Sequence, residues 1–267
     1  AEPNGGTLLR RIRDAGQVRV GFANEAPYSY VDSHAEFTGE SAELARIVFG
    51  RLGVDSVLPV PTEFGSLIAG LKVGLFDVIG AGLAILPDRC RQVLFTNPEF
   101  VAPEAFLVRN GNPKGVHNFV EAAENPRVRI GVLDGAAEEG YARSAGVDTA
   151  RITGFSCQSD GLGAVHDGRV DAFASPTVAL RYLLARNPDV ALEATEPFLP
   201  IVNGKKQFTA GAFAFLPDQR NIVREFNIEL GQLKKSGQLF EILRPFGFTD
   251  AEMTDISADQ LCSTQAA

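Results

Sequence analysis

The chain has no tryptophan, one methionine, three histidines and three cysteines among 267 residues. Each scarcity excludes something. His34, His117 and His166 stand far apart, and Cys90, Cys157 and Cys262 show no metal-ligand spacing, so neither a metal centre nor a histidine base is expected. No apolar stretch nears the roughly 18 residues that a membrane-spanning helix needs. The longest, "VIGAGLAILP" (78–87) and "AGAFAFLP" (210–217), are strand-length and end in proline. Cations are short as well: 25 Lys and Arg against 33 Asp and Glu leave a net charge of −8, which argues against a nucleic-acid surface. A G-x-S-x-G elbow, a P-loop, H-E-x-x-H and a G-x-G-x-x-G after a strand are all missing, so no cofactor and no catalysis is expected.

What is present is ordinary globular material, 45% hydrophobic and 22% charged, enough for one large domain or two small ones. The opening "AEPNGG" carries no basic and apolar leader, so an export signal is expected to have been removed or never present. Short apolar strands are expected at 17–23, 56–60, 76–83, 104–109, 128–133, 151–155, 170–175 and 211–216. Helical spacing covers 40–52, 64–74, 117–124, 136–145, 160–168, 176–187 and 218–236. In "SAELARIVFGRLG", Leu44, Ile47, Val48 and Leu52 recur on one face and Gly53 supplies the stop. Strands separated by helices predict an α/β fold with parallel sheets. "RNGNPKG" (109–115) and "VNGKKQFT" (202–209) read as boundaries. They predict a first lobe from residues 1–110 and 210–267, with residues 111–209 inserted as a second. Two crossings make a hinge, with a ligand cleft between the lobes.

Candidate chemistry concentrates at two strand exits. After "VRVGF" the chain runs "ANEAPYSYVD", setting Glu25 beside Tyr28 and Tyr30. A strand-exit loop whose tyrosines cap the core is the plain reading; a site for a delocalised cation is the functional one. "DVIGAGLAILPDRC" (77–90) ends a strand at Gly80 and Gly82, where backbone or ligand can approach closely. Pro87 then opens a short helix carrying Arg89. Alone, Arg89 reads as a surface residue; one turn beyond a glycine-rich strand end, it can also offer a fork to a carboxylate. In "GVLDGAAEEGYA" (131–142) the N–H groups of Gly135, Ala136 and Ala137 are expected to be unpaired at a helix start, able to hold an anion. Glu138 and Glu139 have a sufficient explanation in the helix dipole. Three free thiols and a Cys90–Cys262 bridge both remain open at this level.

The succession "NEAPYSYVD…FTGESAELARIVFGRLG", "FGSLIAGLKVGLFDVIGAGLAILPDRCRQVLFTNPE", "GVLDGAAEEGYA", "LGAVHDGRVDAFAS" and "ELGQLKKSGQLFEILRPFGF" resembles the extracytoplasmic solute-binding proteins of polar amino-acid ABC transporters over nearly the whole chain. The segments A-N-E-x-P-aromatic and A-G-L-x-x-x-P-[DE]-R-C resemble the ectoine and hydroxyectoine binders within that family. The resemblance implies a two-lobed type II periplasmic-binding-protein fold, an exported monomer in the periplasm or outside the cell, and an ABC permease with its ATPase as partners. It implies that Glu25 pairs with a cationic, amidine-like ring, that Tyr28 and Phe64 wall that ring, and that Arg89 clamps a carboxylate, with Gly82, Leu83 and Ala84 lining the same strand end. It also implies a Cys90–Cys262 disulfide, leaving Cys157 buried and free.

Two departures bear on the ligand. Ala84 stands where ectoine binders carry a third aromatic wall, a gap that Phe208 is a candidate to fill. Ser175 and Pro176 stand where many amino-acid binders have an aspartate for the α-ammonium. A small zwitterion of the ectoine type is therefore expected, with a cationic or polar amino acid as the second reading. A periplasmic cyclohexadienyl-type dehydratase, recruiting Glu25 or Glu138 as its acid, is the reading of another class. A sensor domain of a larger receptor is the last.

Overall fold

In the computed structural model, which describes residues 7–263, the first element is one outside the expected set. Helix α1 (Leu8–Ala15) buries Leu8, Leu9 and Ile12 and ends at Gly16. The "AEPNGG" opening lies outside the described residues. Strand β1 (Gln17–Phe22) follows, its second half wholly buried. After a loop come the short pair β2 (Tyr30–Val31) and β3 (Phe37–Thr38), and then α2 (Glu40–Arg51). Of the α2 face that its spacing predicts, Leu44, Val48 and Leu52 are buried and Ile47 is half-buried, with Ala45 buried beside them. Next are β4 (Ser56–Pro61), α3 (Leu67–Lys72), β5 (Val78–Ala84), α4 (Pro87–Cys90), β6 (Leu94–Phe95) and β7 (Phe100–Ala102).

The middle of the chain supplies β8 (Glu104–Arg109), α5 (Phe119–Glu124), β9 (Ile130–Leu133), α6 (Ala137–Ser144), β10 (Ile152–Phe155), α7 (Gln158–His166), β11 (Ala172–Pro176), α8 (Thr177–Ala185), β12 (Leu192–Ala194) and a small hairpin, β13 (Ile201–Val202) with β14 (Lys205–Lys206). The last part holds β15 (Thr209–Phe215), α9 (Arg220–Lys235), α10 (Gln238–Leu243) and α11 (Ala258–Ser263).

The described chain forms two units, one ending at Phe100 and resuming at Ala210, the other spanning Val101–Thr209. The first crossing thus falls ahead of the glycine-rich stretch at 109–115. Strand β8 explains the difference, because it pairs with both β11 and β12 and so belongs to the second sheet. "RNGNPKG" is a loop inside that unit.

Both units have the expected α/β character, with mixed rather than purely parallel sheets. In the first, the sheet path is β4-β1-β5-β15-β6. Strand β1 lies parallel to β4 and β5, and β15 antiparallel to β5 and β6. In the second, the order is β10-β9-β11-β8-β12, with β8 antiparallel to both neighbours. The antiparallel strands β8 and β15 are those that follow a crossing, so no crossover helix within the unit sets their direction.

Each unit has its own apolar core. Leu67, Leu71, Phe76, Ile79 and Phe95 are among the residues of the first, and Leu107, Phe155, Val165, Phe173 and Leu180 of the second. At the foot of the first sheet Asp77 receives the Arg19 backbone N–H at 2.9 Å and ion-pairs with Arg11 and Arg19 at 2.7 and 2.9 Å. Burial alone would raise its pKa, but these bonds outweigh burial and hold it below the ordinary carboxylate value.

Candidate functional site

The loop after β1 is folded back on itself. The Glu25 N–H donates to the Ser29 carbonyl at 2.9 Å, and the N–H groups of Tyr28 and Ser29 return to the Glu25 carbonyl at 3.0 and 3.2 Å. The Ala26–Pro27 peptide between them is cis. Ser29, fully buried, donates its hydroxyl to the Gly80 carbonyl at 2.7 Å, which fastens the loop to β5. Glu25 is half-buried at the turn.

Tyr28 is buried, stacked on Phe100 with ring centroids 5.6 Å apart and planes 16° from parallel. The same ring lies against Gly82: a Cβ there would come within 2.6 Å of the Tyr28 Cδ1. Gly82 also has a φ of 59°, in the left-handed region that glycine favours. The close approach expected at Gly82 is thus made by the tyrosine. Leu83 and Ala84 complete the strand exit, buried and paired with Ala212 and Gly211 of β15.

Arg89 is buried, on the single turn of α4 that Pro87 starts. Its Nη1 donates to the Ala84 carbonyl at 2.9 Å, and its guanidinium carbon sits 5.7 Å from the centre of the Phe64 ring. Residues 64–66 form a 3-10 turn rather than the start of one long helix. Phe64 therefore faces the guanidinium at cation–π distance. The next residue, Cys90, is bonded to Cys262 of α11, so α4 and the C-terminal helix are covalently joined. Glu25, Tyr28, Phe64, Gly82, Leu83, Ala84 and Arg89 all lie in the first unit, at or beside the exits of β1 and β5.

The second unit holds the rest of the expected set. Gly135 has a φ of 76° and is exposed; α6 begins at Ala137 with Ala136 as its N-cap. The expectation that all three N–H groups are unpaired does not hold, because Ala136 donates to the Leu133 carbonyl at 3.1 Å. The turn that reverses the chain after β9 uses that bond. Ser175 is buried on β11, opposite Ala105 of β8. Phe208 is 49% exposed and lines a cavity of about 680 Å³ with Phe119, Phe198, Ile201 and Lys206, all within this unit.

Two further expectations are corrected. Cys157 is free but exposed, with Sγ 3.1 Å from the Ser159 hydroxyl; it occupies the N-cap of α7, ahead of the helix's buried residues Gly161, Ala164 and Val165. Glu138 is buried beside Glu104, so the helix dipole is not its whole environment. The histidines stand on the surface beside Asp32, Glu121 and Asp167.

The sequence reading missed the buried acids. In the first unit Ser41 donates to Glu40, and Glu99 lies 2.8 Å from the same hydroxyl. Burial, opposed by Ser41, Glu40 and Lys234, pushes Glu99 up to about 7. In the second unit Glu104 is wholly buried at the start of β8. The available signal was a glutamate inside an otherwise apolar strand, "VAPEAFLV", a placement that burial penalises unless the acid is neutral or paired.

Two mixed α/β units joined by two crossings, each with polar groups at strand ends or a helix start, are the architecture of the type II periplasmic binding proteins. The profile of the bacterial extracellular solute-binding proteins, family 3, matches residues 18–249, and this chain belongs to that family. It is 32% identical, over 98% of its length and 88% of the relative's, to a probable amino-acid ABC transporter periplasmic-binding protein, y4tE, of Sinorhizobium fredii. Among solved structures it resembles EhuB in complex with hydroxyectoine, at 32% identity and a TM-score of 0.87, covering 96% of this chain and 97% of that one. It also resembles an ancestral amino acid-binding protein, AncCDT-1, a precursor of cyclohexadienyl dehydratase, at 26% identity and a TM-score of 0.78, covering 90% and 99%. The resemblance and the fold class expected from the sequence are borne out.

Proposed function

We propose that this chain is the solute-binding component of an ABC importer and captures a small zwitterion of the ectoine or hydroxyectoine type outside the cytoplasm, in the periplasm. The observation that carries the reading is Arg89: a buried guanidinium held by the Ala84 carbonyl and the Phe64 ring at the exit of β5. A cation fixed in this way is preorganised for a carboxylate, because little side-chain freedom remains to be lost on binding. In this reading Glu25 meets the ligand's delocalised cation, Tyr28 and Phe64 flank it, and Gly82, Leu83 and Ala84 form the floor. Gly135, Ala137 and Ser175 of the second unit complete the ligand's surroundings, Ala136 by its side chain. The relatives with ABC-transporter names and the likeness to a hydroxyectoine complex support it. The protein hands its ligand to a permease driven by an ATPase and performs no chemistry on it.

Ala84 favours a second reading. A small residue at this position leaves room for a longer cation, such as the side chain of arginine or lysine.

Thermal unfolding with a ligand panel separates the readings. A ligand at a hundred times its dissociation constant stabilises a fold by about 2.7 kcal/mol, or roughly 5–10 °C for a chain of this size. A shift with ectoine or hydroxyectoine supports the first reading. A shift with arginine or lysine alone replaces it with the second. A shift with prephenate alone, followed by product formation, overturns both and makes the protein a dehydratase.

A further inference from the structure

Resting on the reading that the Gly135–Ala137 loop touches the ligand, we propose that Glu104 and Glu138 share a single proton and so position the start of α6, making binding at this loop proton-linked.

The geometry of the second unit carries the argument. Glu104, at the start of β8, is wholly buried, and Glu138, in the first turn of α6, is 4% exposed. Two ionised carboxylates are acceptors only, and Glu104 Oε2 is buried with no donor. One proton between the two acids turns that repulsion into an O–H···O bond and supplies the missing donor. The other oxygen, Oε1, accepts the Thr209 hydroxyl. Thr209 Oγ1, its proton thus engaged, accepts from the Tyr141 hydroxyl at 3.1 Å.

Glu138 and Tyr141 are three residues apart and share a face of α6. Glu104 therefore holds the helix at two points, directly through Glu138 and by way of Thr209 through Tyr141. The turn that precedes α6 is Gly135–Ala136. Around Glu104 the charged neighbour is Glu138. Pro176 of β11, opposite it, and Phe198, bridged to it, bring no charge. Glu139 is turned to Arg143 on the outer side of the helix. Burial first, and the charge of Glu138 second, push Glu104 well above the usual carboxylate range, the direction that a proton held between the two acids requires.

Loss of this proton as the pH rises leaves two buried acids that are only acceptors toward each other, which loosens α6 from β8. Glutamine at either position supplies a permanent N–H donor and takes away the titration. The test uses wild type, Glu104→Gln and Glu138→Gln from about pH 6 to about pH 9. Calorimetric titration with hydroxyectoine and with L-arginine is run alongside amide hydrogen exchange of residues 135–139 in the ligand-free protein. In the wild type, affinity for the probe that binds is expected to fall at least about tenfold as the shared proton is lost, and amide protection to fall with it. Both variants are expected to bind with flat profiles. A wild type as flat as the variants, or variants as steep as the wild type, overturns the proposal. If neither probe binds, the zwitterion reading has failed on its own account, and the exchange profiles decide the shared proton: loss of protection that Glu104→Gln abolishes supports it, and loss that persists in Glu104→Gln overturns it.

Discussion

Arg89 is gripped from two directions, by the carbonyl of Ala84 at 2.9 Å and by the ring of Phe64, 5.7 Å from its guanidinium carbon. The strand that bears Ala84 and the 3-10 turn that bears Phe64 thus meet on one side chain. Its direction is set before any ligand arrives.

Arg89→Ala is expected to weaken binding of the active zwitterion by about 2–5 kcal/mol, the range for losing one partner of a buried, hydrogen-bonded charge pair. Arg89→Lys recovers part of this loss, since an ammonium keeps the charge and loses the planar fork. Glu25→Ala is expected to act in the same direction on the cationic end. Calorimetric titration of the four proteins checks this, and equal affinities throughout would move the site elsewhere.

Gly82→Ala places a methyl 2.6 Å from the Tyr28 ring on a backbone with φ of 59°. Clash and strain together are expected to lower stability by about 1–3 kcal/mol. The displaced ring loses its stacking on Phe100, so affinity falls as well. Chemical denaturation measures the first effect and titration the second. A variant as stable as the parent would show that the ring is free to step aside.

The Cys90–Cys262 bond closes a loop with a sequence separation of 172 residues. Replacing both cysteines by serine is expected to lower stability by about 2–5 kcal/mol, as for removal of other native disulfides. Because Cys90 follows Arg89 on a four-residue helix, the same change is expected to weaken ligand binding. Unfolding and titration of the double variant, compared with reduced wild type, test both effects.

The Glu40–Glu99 pair gives the first unit a pH signature of its own. Glu99 is pushed up to about 7 from an ordinary value of 4.5, so between these values the folded protein holds a proton that the unfolded chain has released. Stability contributed by the neutral acid is complete below the unfolded pKa. It falls as pH rises through the folded value near 7. Denaturation midpoints are expected to drop from about pH 5 to about pH 8, and the drop to shrink in Glu99→Gln. An unchanged profile in that variant would assign the titration to another group.

Periodicity was a good guide to the elements, and less so to their neighbours. The helix at Glu40–Arg51 follows from the spacing of Leu44 and Val48, and the apolar run before Ala84 from its burial on both faces. The same pattern hid Glu40, which reads as an acid in a helix's first turn and is in fact fully buried against Glu99. That pairing spans 59 positions, and no local spacing encodes it. Cys157 misled for the opposite reason: a free cysteine is usually buried, but the N-cap of a surface helix overrides the preference. At the candidate site, the order of Glu25, Tyr28 and Arg89 along the chain was legible. That Gly82 exists to admit Tyr28, and that Phe64 faces Arg89, depended on contacts between segments the sequence keeps far apart.

The strand β15 sits between β5 and β6 in the first sheet, although it begins only at Thr209. During synthesis, residues up to Phe100 emerge with that slot empty, and the whole of Val101–Thr209 must follow before it can be filled. The second unit's sheet, by contrast, is drawn from one unbroken stretch of chain. The unit that starts first therefore finishes last. A chain halted between Ala194, where β12 ends, and Thr209, where β15 begins, holds every strand of its middle sheet but leaves β6 without the strand that joins it to the rest of its own.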